Sequence, residues 1–125
     1  MGGAASILIC DDEPELRELM RLSLAPDYSF SEAADGSEAI ELAGRVRPDL
    51  VLLDVTMPGT GGLAVLEHMR RDPDLRSTPV VVVSAFAAPA DRRAALDAGA
   101  TRFVKKPFDP EALRSLVEEL LPPAA

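Results

Sequence analysis

Three carboxylates, a hydroxyl and an ammonium each stand where a short apolar run stops. Asp11 and Asp12 follow Ile7-Leu8-Ile9-Cys10, and Asp54 follows Leu50-Val51-Leu52-Leu53. Ser84 closes Val80-Val81-Val82-Val83, and Lys106 comes just after Phe103-Val104. If these runs are parallel strands of one sheet, all five groups lie at its carboxyl edge, where open α/β sheets bind their ligands. Carboxylates held close together repel one another, and a cation is needed to offset the charge. An all-oxygen set without His or Cys suits Mg²⁺ or Mn²⁺. A metal, a hydroxyl donor and an ammonium around one carboxylate form a cradle for a phosphoryl group, with Asp54 as the nucleophile that becomes an aspartyl-phosphate. Taken singly, each residue has a plainer use: Asp11 and Asp12 as helix caps, Asp54 as a turn starter, Ser84 as a turn hydroxyl, Lys106 as a solvated charge. Their joint placement favours the site.

The elements that must position them follow from periodicity. Ile7–Cys10 is the first strand, and Pro14 suits the first turn of a helix running from near Glu13, with Leu16, Leu19, Met20, Ser23 and Leu24 at helical spacing, to a stop before Pro26. Tyr28–Ala33 alternates and is the most polar strand, which places it at an edge. Asp35-Gly36-Ser37-Glu38 supplies a turn and cap for a second helix whose inner stripe is Ala39, Ile40, Ala43 and Val46. The Asp54 strand reads as buried on both faces, and after its Pro58-Gly59 loop Gly62, Val65, Leu66 and Met69 mark a third helix. Pro79–Ala85 is a second fully buried strand. An Ala-rich fourth helix over Asp91–Ala98, stopped by Gly99, buries little area and is the least firmly held. Thr101–Val104 is the fifth strand. Asp109-Pro110-Glu111 caps a last helix with Leu113, Leu116, Val117, Leu120 and Leu121 turned inward. Strands alternating with helices indicate a doubly wound α/β fold, a five-stranded parallel sheet with helices on both faces. Right-handed crossovers, a polar second strand and buried first, third and fourth strands select the order 2-1-3-4-5, a flavodoxin-like arrangement. That order sets the first and third strands side by side, so Asp11, Asp12 and Asp54 converge.

Composition narrows the function classes. A chain of 125 residues, 47% hydrophobic, holds one domain with one core. The net charge is −8 and the basic residues are scattered, which argues against direct nucleic-acid binding and against an anionic membrane surface. No apolar stretch approaches the length that spans a bilayer, and Met1–Ser6 lacks the features of a signal peptide, so a cytoplasmic location is expected. Cys10 lies inside an apolar run and reads as a core residue, and the single histidine, His68, as a helix-surface residue.

The segments Ile7-Leu8-Ile9-Cys10-Asp11-Asp12-Glu13-Pro14, Asp49-Leu50-Val51-Leu52-Leu53-Asp54-Val55-Thr56-Met57-Pro58-Gly59, Val81-Val82-Val83-Ser84-Ala85 and Phe103-Val104-Lys105-Lys106-Pro107-Phe108 together resemble the motif set of response-regulator receiver domains of two-component signalling. The resemblance covers residues 6–121, leaving 1–5 as an N-terminal tail and 122–125 as a C-terminal tail or the start of a linker. It implies that Asp54 accepts the phosphoryl group and that Asp11 and Asp12, with Asp54 and the backbone carbonyl of Thr56, hold Mg²⁺ or Mn²⁺. It further implies that Ser84 hydrogen-bonds the phosphoryl group, that Lys106 pairs with it, and that Lys106–Pro107 is a cis peptide. Ser84 and Phe103 match the family's switch positions, whose movement alters the surface of the fourth helix, fifth strand and fifth helix. Three positions depart from the family's usual residues. Gly61 precedes Gly62 where many members carry an acid, Phe103 lacks the hydroxyl of a tyrosine, and bulky Phe86 sits where the family tunes phosphoryl lifetime.

The function this implies is a signalling phosphoacceptor, catalysing only its own phosphorylation and dephosphorylation. A sensor histidine kinase or histidine phosphotransfer protein would be the donor, and an effector domain or protein the target. Any homodimer would use the fourth helix, fifth strand and fifth helix. A phosphatase of the haloacid-dehalogenase type would carry a second acid two residues after its nucleophile, where Thr56 stands. A phosphorylation-independent interaction module on the same fold is the other alternative, and it predicts loss of Asp54 or Lys106, both of which are present.

Overall fold

Each apolar run of the sequence is a strand, and each amphipathic segment between them is a helix lying on one face of the sheet those strands build. The computed structural model describes residues 4–57 and 61–123. The N-terminal tail, the Pro58-Gly59 loop and the C-terminal tail lie wholly or partly outside the described residues. The chain runs β1 (Ser6–Cys10), α1 (Pro14–Leu24), β2 (Ser29–Ala33), α2 (Gly36–Val46), β3 (Leu50–Leu53), α3 (Gly62–Arg71), β4 (Val80–Ser84), α4 (Pro89–Asp97), β5 (Arg102–Lys105) and α5 (Pro110–Leu120). The strands form one parallel sheet in the order β2-β1-β3-β4-β5.

Alternation along the strands divides the core into two layers. Leu8, Cys10, Val51, Leu53, Val80 and Val82 face α2, α3 and α4, and meet Ala39, Ala43, Leu66, Met69 and Ala95. Ile7, Ile9, Leu50, Leu52, Val81 and Val83 face α1 and α5, and meet Met20, Leu24, Leu113 and Val117. Strands covered on both faces have no reason to alternate in polarity, which is why β1, β3 and β4 read as continuous apolar runs. Cys10 is fully buried, and burial pushes its thiol well above the ordinary range.

Helix ends follow their caps. Asp35 Oδ1 accepts from Glu38 N–H at 2.8 Å while Glu38 Oε1 accepts from Ala34 N–H at 2.7 Å, a reciprocal cap for α2. Asp109 Oδ1 accepts from Glu111 N–H at 3.1 Å at the start of α5. α4 begins two residues earlier than the Asp91 start expected from sequence: Pro89 takes its first turn, and Asp91 Oδ2 reaches back to Ala88 N–H at 3.1 Å. Two expected core positions are corrected. Val46 is 37% exposed because it is the last residue of α2, beside the left-handed Arg47 (φ 50°), while Leu42 packs against the core in addition to Ile40. Leu19 is 39% exposed because it lines a surface groove rather than the sheet.

One polar hub secures the far end of α4. Arg70 donates from Nε to Gly99 O at 3.0 Å and from NH1 to Thr78 O at 2.9 Å, with longer bonds to Leu75 O and Arg76 O. Gly99 has φ +111°, and a Cβ there would stand 2.8 Å from Arg70 Cγ, so a side chain is excluded on both counts.

Candidate functional site

The register of the sheet brings the acidic residues together. Cys10 and Leu53 are partners across the β1–β3 pair, so the next residues, Asp11 and Asp54, leave neighbouring strands side by side; Asp54 N–H donates to Cys10 O at 2.9 Å. Ligand oxygens of Asp11, Asp12 and Asp54 lie within 4.8 Å of one another. Asp11 is fully buried, Asp54 is 2% exposed, and Asp12 is exposed. On the other side of β3, Ser84 pairs with Lys105 across β4–β5, and Lys106 N–H donates to Ser84 O at 2.9 Å, which carries the Lys106 side chain back over the carboxylates.

Lys106 Nζ donates to Asp11 Oδ2 at 2.8 Å and to Asp54 Oδ2 at 3.3 Å. Burial alone would lower its pKa, but the hydrogen bond to Asp11 and the charges of Asp54 and Asp11 outweigh it and hold the ammonium above its ordinary value. The other oxygens are also engaged. Asp11 Oδ1 accepts from Glu13 N–H at 2.9 Å, and Asp54 Oδ1 accepts from Thr56 N–H at 3.0 Å and from the Thr56 hydroxyl at 2.8 Å. One ammonium against three carboxylates leaves net negative charge in a mostly buried place, and the donor set is all oxygen. Those properties fit a hard divalent cation held by Asp11, Asp12 and Asp54.

Ser84 is fully buried, and its Oγ accepts from Phe86 N–H at 3.0 Å; among the described residues no hydrogen bond joins it to the carboxylates. Phe103 is partly buried against the α2–α3–α4 layer. Arg92 of α4 lies over its ring, Cζ 4.9 Å from the centroid, with Nε donating to Ala87 O at 3.2 Å. Phe86 is 61% exposed. The Lys106–Pro107 peptide is cis, and so is Ala25–Pro26, for which the sequence held no signal. His68 is partly exposed on α3, away from the cluster's ligand set.

Three features of the site were not expected from sequence. The Thr56 hydroxyl bonds the Asp54 carboxylate directly, in addition to the backbone role expected for that residue. A Cβ on Gly62 would stand 2.4 Å from Asp54 O and 2.5 Å from Val55 Cα, so α3 starts in direct contact with the backbone that carries Asp54. Beside Lys106 opens a groove of about 260 Å³, almost wholly apolar, lined by Leu16, Leu19, Ala85, Pro107 and Phe108. Of the three, only Gly62, by being glycine at a helix start, carried a hint in the sequence.

Comparison with known proteins agrees with this geometry. The sequence model of the response regulator receiver domain matches residues 7–118. The chain is 40% identical to the response regulator PleD of Caulobacter vibrioides over 118 residues, 94% of this chain and 26% of PleD. It is 40% identical to the probable transcriptional regulatory protein TcrX of Mycobacterium tuberculosis over 122 residues, 96% of this chain and 51% of TcrX. It therefore spans between a quarter and about half the length of these curated relatives. The chemotaxis protein CheY4 of Vibrio cholerae superposes with a TM-score of 0.89 at 29% identity, covering 95% of this chain and all of that one.

Proposed function

The chain belongs to the response regulator receiver domain family, a family of signalling domains, and from that premise we propose that Asp54 is its phosphoacceptor in a Mg²⁺-dependent transfer. The observation that carries this reading is the Lys106 ammonium placed between Asp11 Oδ2 and Asp54 Oδ2, with both carboxylates at the ends of adjacent strands. An Asp54 oxygen attacks phosphorus as the phosphorus–nitrogen bond to a donor imidazole breaks, and the electron pair leaves with the imidazole. Asp11, Asp12, Asp54 and the Thr56 carbonyl would hold Mg²⁺ or Mn²⁺, which would supply positive charge to the transferring oxygens. Lys106 shifts from the carboxylate to a phosphoryl oxygen, keeping its compensating role after the charge has moved. Ser84 Oγ, which accepts from the Phe86 amide, turns to a second phosphoryl oxygen.

The donor would be a sensor histidine kinase or histidine phosphotransfer protein, and the apolar groove beside Lys106 offers it a surface next to the reactive carboxylate. Residues 6–121 form the receiver unit in this reading. Its output is a change in the face made by α4, β5 and α5, where Phe103 turns inward once Ser84 has moved, available to an effector or a second copy of the chain. No helix among the described residues is long and apolar enough to cross a membrane, in keeping with the cytoplasmic place where such donors act.

The test is intact mass after incubation with acetyl phosphate and Mg²⁺. One phosphoryl adduct should appear on the native chain and be absent from Asp54→Asn and from a chelated control. A folded, metal-binding chain that forms no adduct would point to an interaction module that works without phosphate. We also propose that the exposed ring of Phe86, two residues beyond Ser84, slows hydrolysis by impeding the attacking water. Phe86→Ala should shorten the adduct's half-life several-fold, and an unchanged half-life removes Phe86 from the site.

A further inference from the structure

Arg17 lies one turn into α1, and its side chain is only 17% exposed. Its NH1 donates to the main-chain carbonyl of Asp11 at 2.7 Å. Its Nε donates to Glu32 Oε1 at 3.0 Å, and Arg21 Nε stands 3.5 Å from Glu32 Oε2. Glu32 sits on β2 opposite Ile9 of β1, one residue before Ala33, whose carbonyl accepts the Asp11 amide at 3.0 Å.

The Asp11 backbone is thus held from both ends: its N–H by β2 directly, and its C=O by a guanidinium that β2 itself anchors. A peptide plane fixed at its carbonyl also fixes the amide of the next residue, here Asp12, and so the direction in which the one exposed carboxylate of the cluster leaves the chain. We propose that Arg17, anchored by Glu32, is a positioning residue for the cation site: it fixes the Asp11–Asp12 peptide so that both carboxylates face Asp54. This rests on the metal reading given above. Glu32 matters twice, because it orients the guanidinium and offsets a positive charge that would otherwise oppose a dication nearby.

For loss of the Arg17 charge, positioning and simple electrostatics predict opposite signs. By Coulomb's law alone, removing a cation next to a divalent-ion site tightens metal binding. Removing a clamp on the ligand loop loosens it, by about tenfold for groups that orient metal ligands. Arg17→Met, Arg17→Lys and Glu32→Gln are therefore titrated with Mn²⁺, the free ion being followed by electron paramagnetic resonance, and each metal-free chain is also melted. The expected result is a Kd about tenfold weaker for Arg17→Met at unchanged one-to-one stoichiometry. Arg17→Lys, which keeps the charge but cannot fork between two acceptors, should also be weaker, and Glu32→Gln should lie between it and wild type. Binding equal to or tighter than wild type overturns the clamp. A lowered stoichiometry with unchanged Kd also overturns it, since that is the signature of partial unfolding. If Arg17→Met does not fold, Arg17→Lys, which leaves the charge unchanged, decides on the same criteria. A wild-type chain that takes up no Mn²⁺ overturns the metal reading and the clamp together.

Discussion

At the carboxyl ends of β1 and β3 the two buried carboxylates are held at every oxygen, whereas the face built from α4 and β5 rests on very little. Asp11 and Asp54 are 0% and 2% exposed and each oxygen of both has a hydrogen-bond donor, while α4 buries Ala95 alone of its nine residues and β5 buries none of its four. If Asp54 is the phosphoacceptor proposed above, a charge added there would be relieved where restoring forces are weakest, with Ser84 as the link: it ends β4, and the loop beyond it leads into α4.

The contrast is sharpest in the core that supports the site. Leu53→Ala, in the strand that presents Asp54, should cost about 3 kcal/mol, and Leu96→Ala on the exposed side of α4 less than about 0.5 kcal/mol, both read from urea midpoints. Equal losses would mean that α4 is as firmly built as the site. Next in size is Gly62→Ala: its Cβ would meet backbone, not a flexible side chain, so about 2 kcal/mol is expected. Gly44, within α2, has nothing within 4 Å of an added Cβ, so the same change there should stabilise by about 0.5–1 kcal/mol. Arg92→Ala should cost about 0.5–1 kcal/mol from the lost contact with Phe103. Because that contact holds the ring in its present place, the variant should also take up phosphate from acetyl phosphate faster; an unchanged rate would separate Arg92 from the switch.

Much of this architecture was legible in the chain because the signals were local or strictly periodic. The apolar runs ending at Cys10, Leu53 and Ser84 can only be doubly covered strands, and a polar Ser29–Ala33 can only be an edge, so the strand order and the meeting of Asp11 with Asp54 follow. Periodicity failed at element ends: Val46 keeps the α2 spacing but lies at the end of that helix. It failed again at Leu19, where an apolar residue serves a surface groove. The links from Arg17 to Glu32, from Arg70 to Gly99 and from Tyr28 Oη to Leu121 O were out of reach because each joins residues 15 to 93 positions apart. The hydroxyl of Thr56 was hidden for a different reason: it is only two residues from Asp54, but nothing in a sequence distinguishes a threonine facing a carboxylate from one facing solvent.

Arg70 gathers four carbonyl groups, and one of them belongs to Gly99, just past the last turn of α4. The helix is therefore a beam pinned at one end: at nine residues it is about 14 Å long, with its Pro89 end beside the loop from Ser84 and its Asp97 end fastened to the loop after α3. A push delivered at Pro89 does not slide such a beam. It swings it about Gly99, so displacement is greatest at the end next to the reaction and fades toward the pivot. A partner that senses the state of Asp54 would then read the tilt of α4 rather than its position.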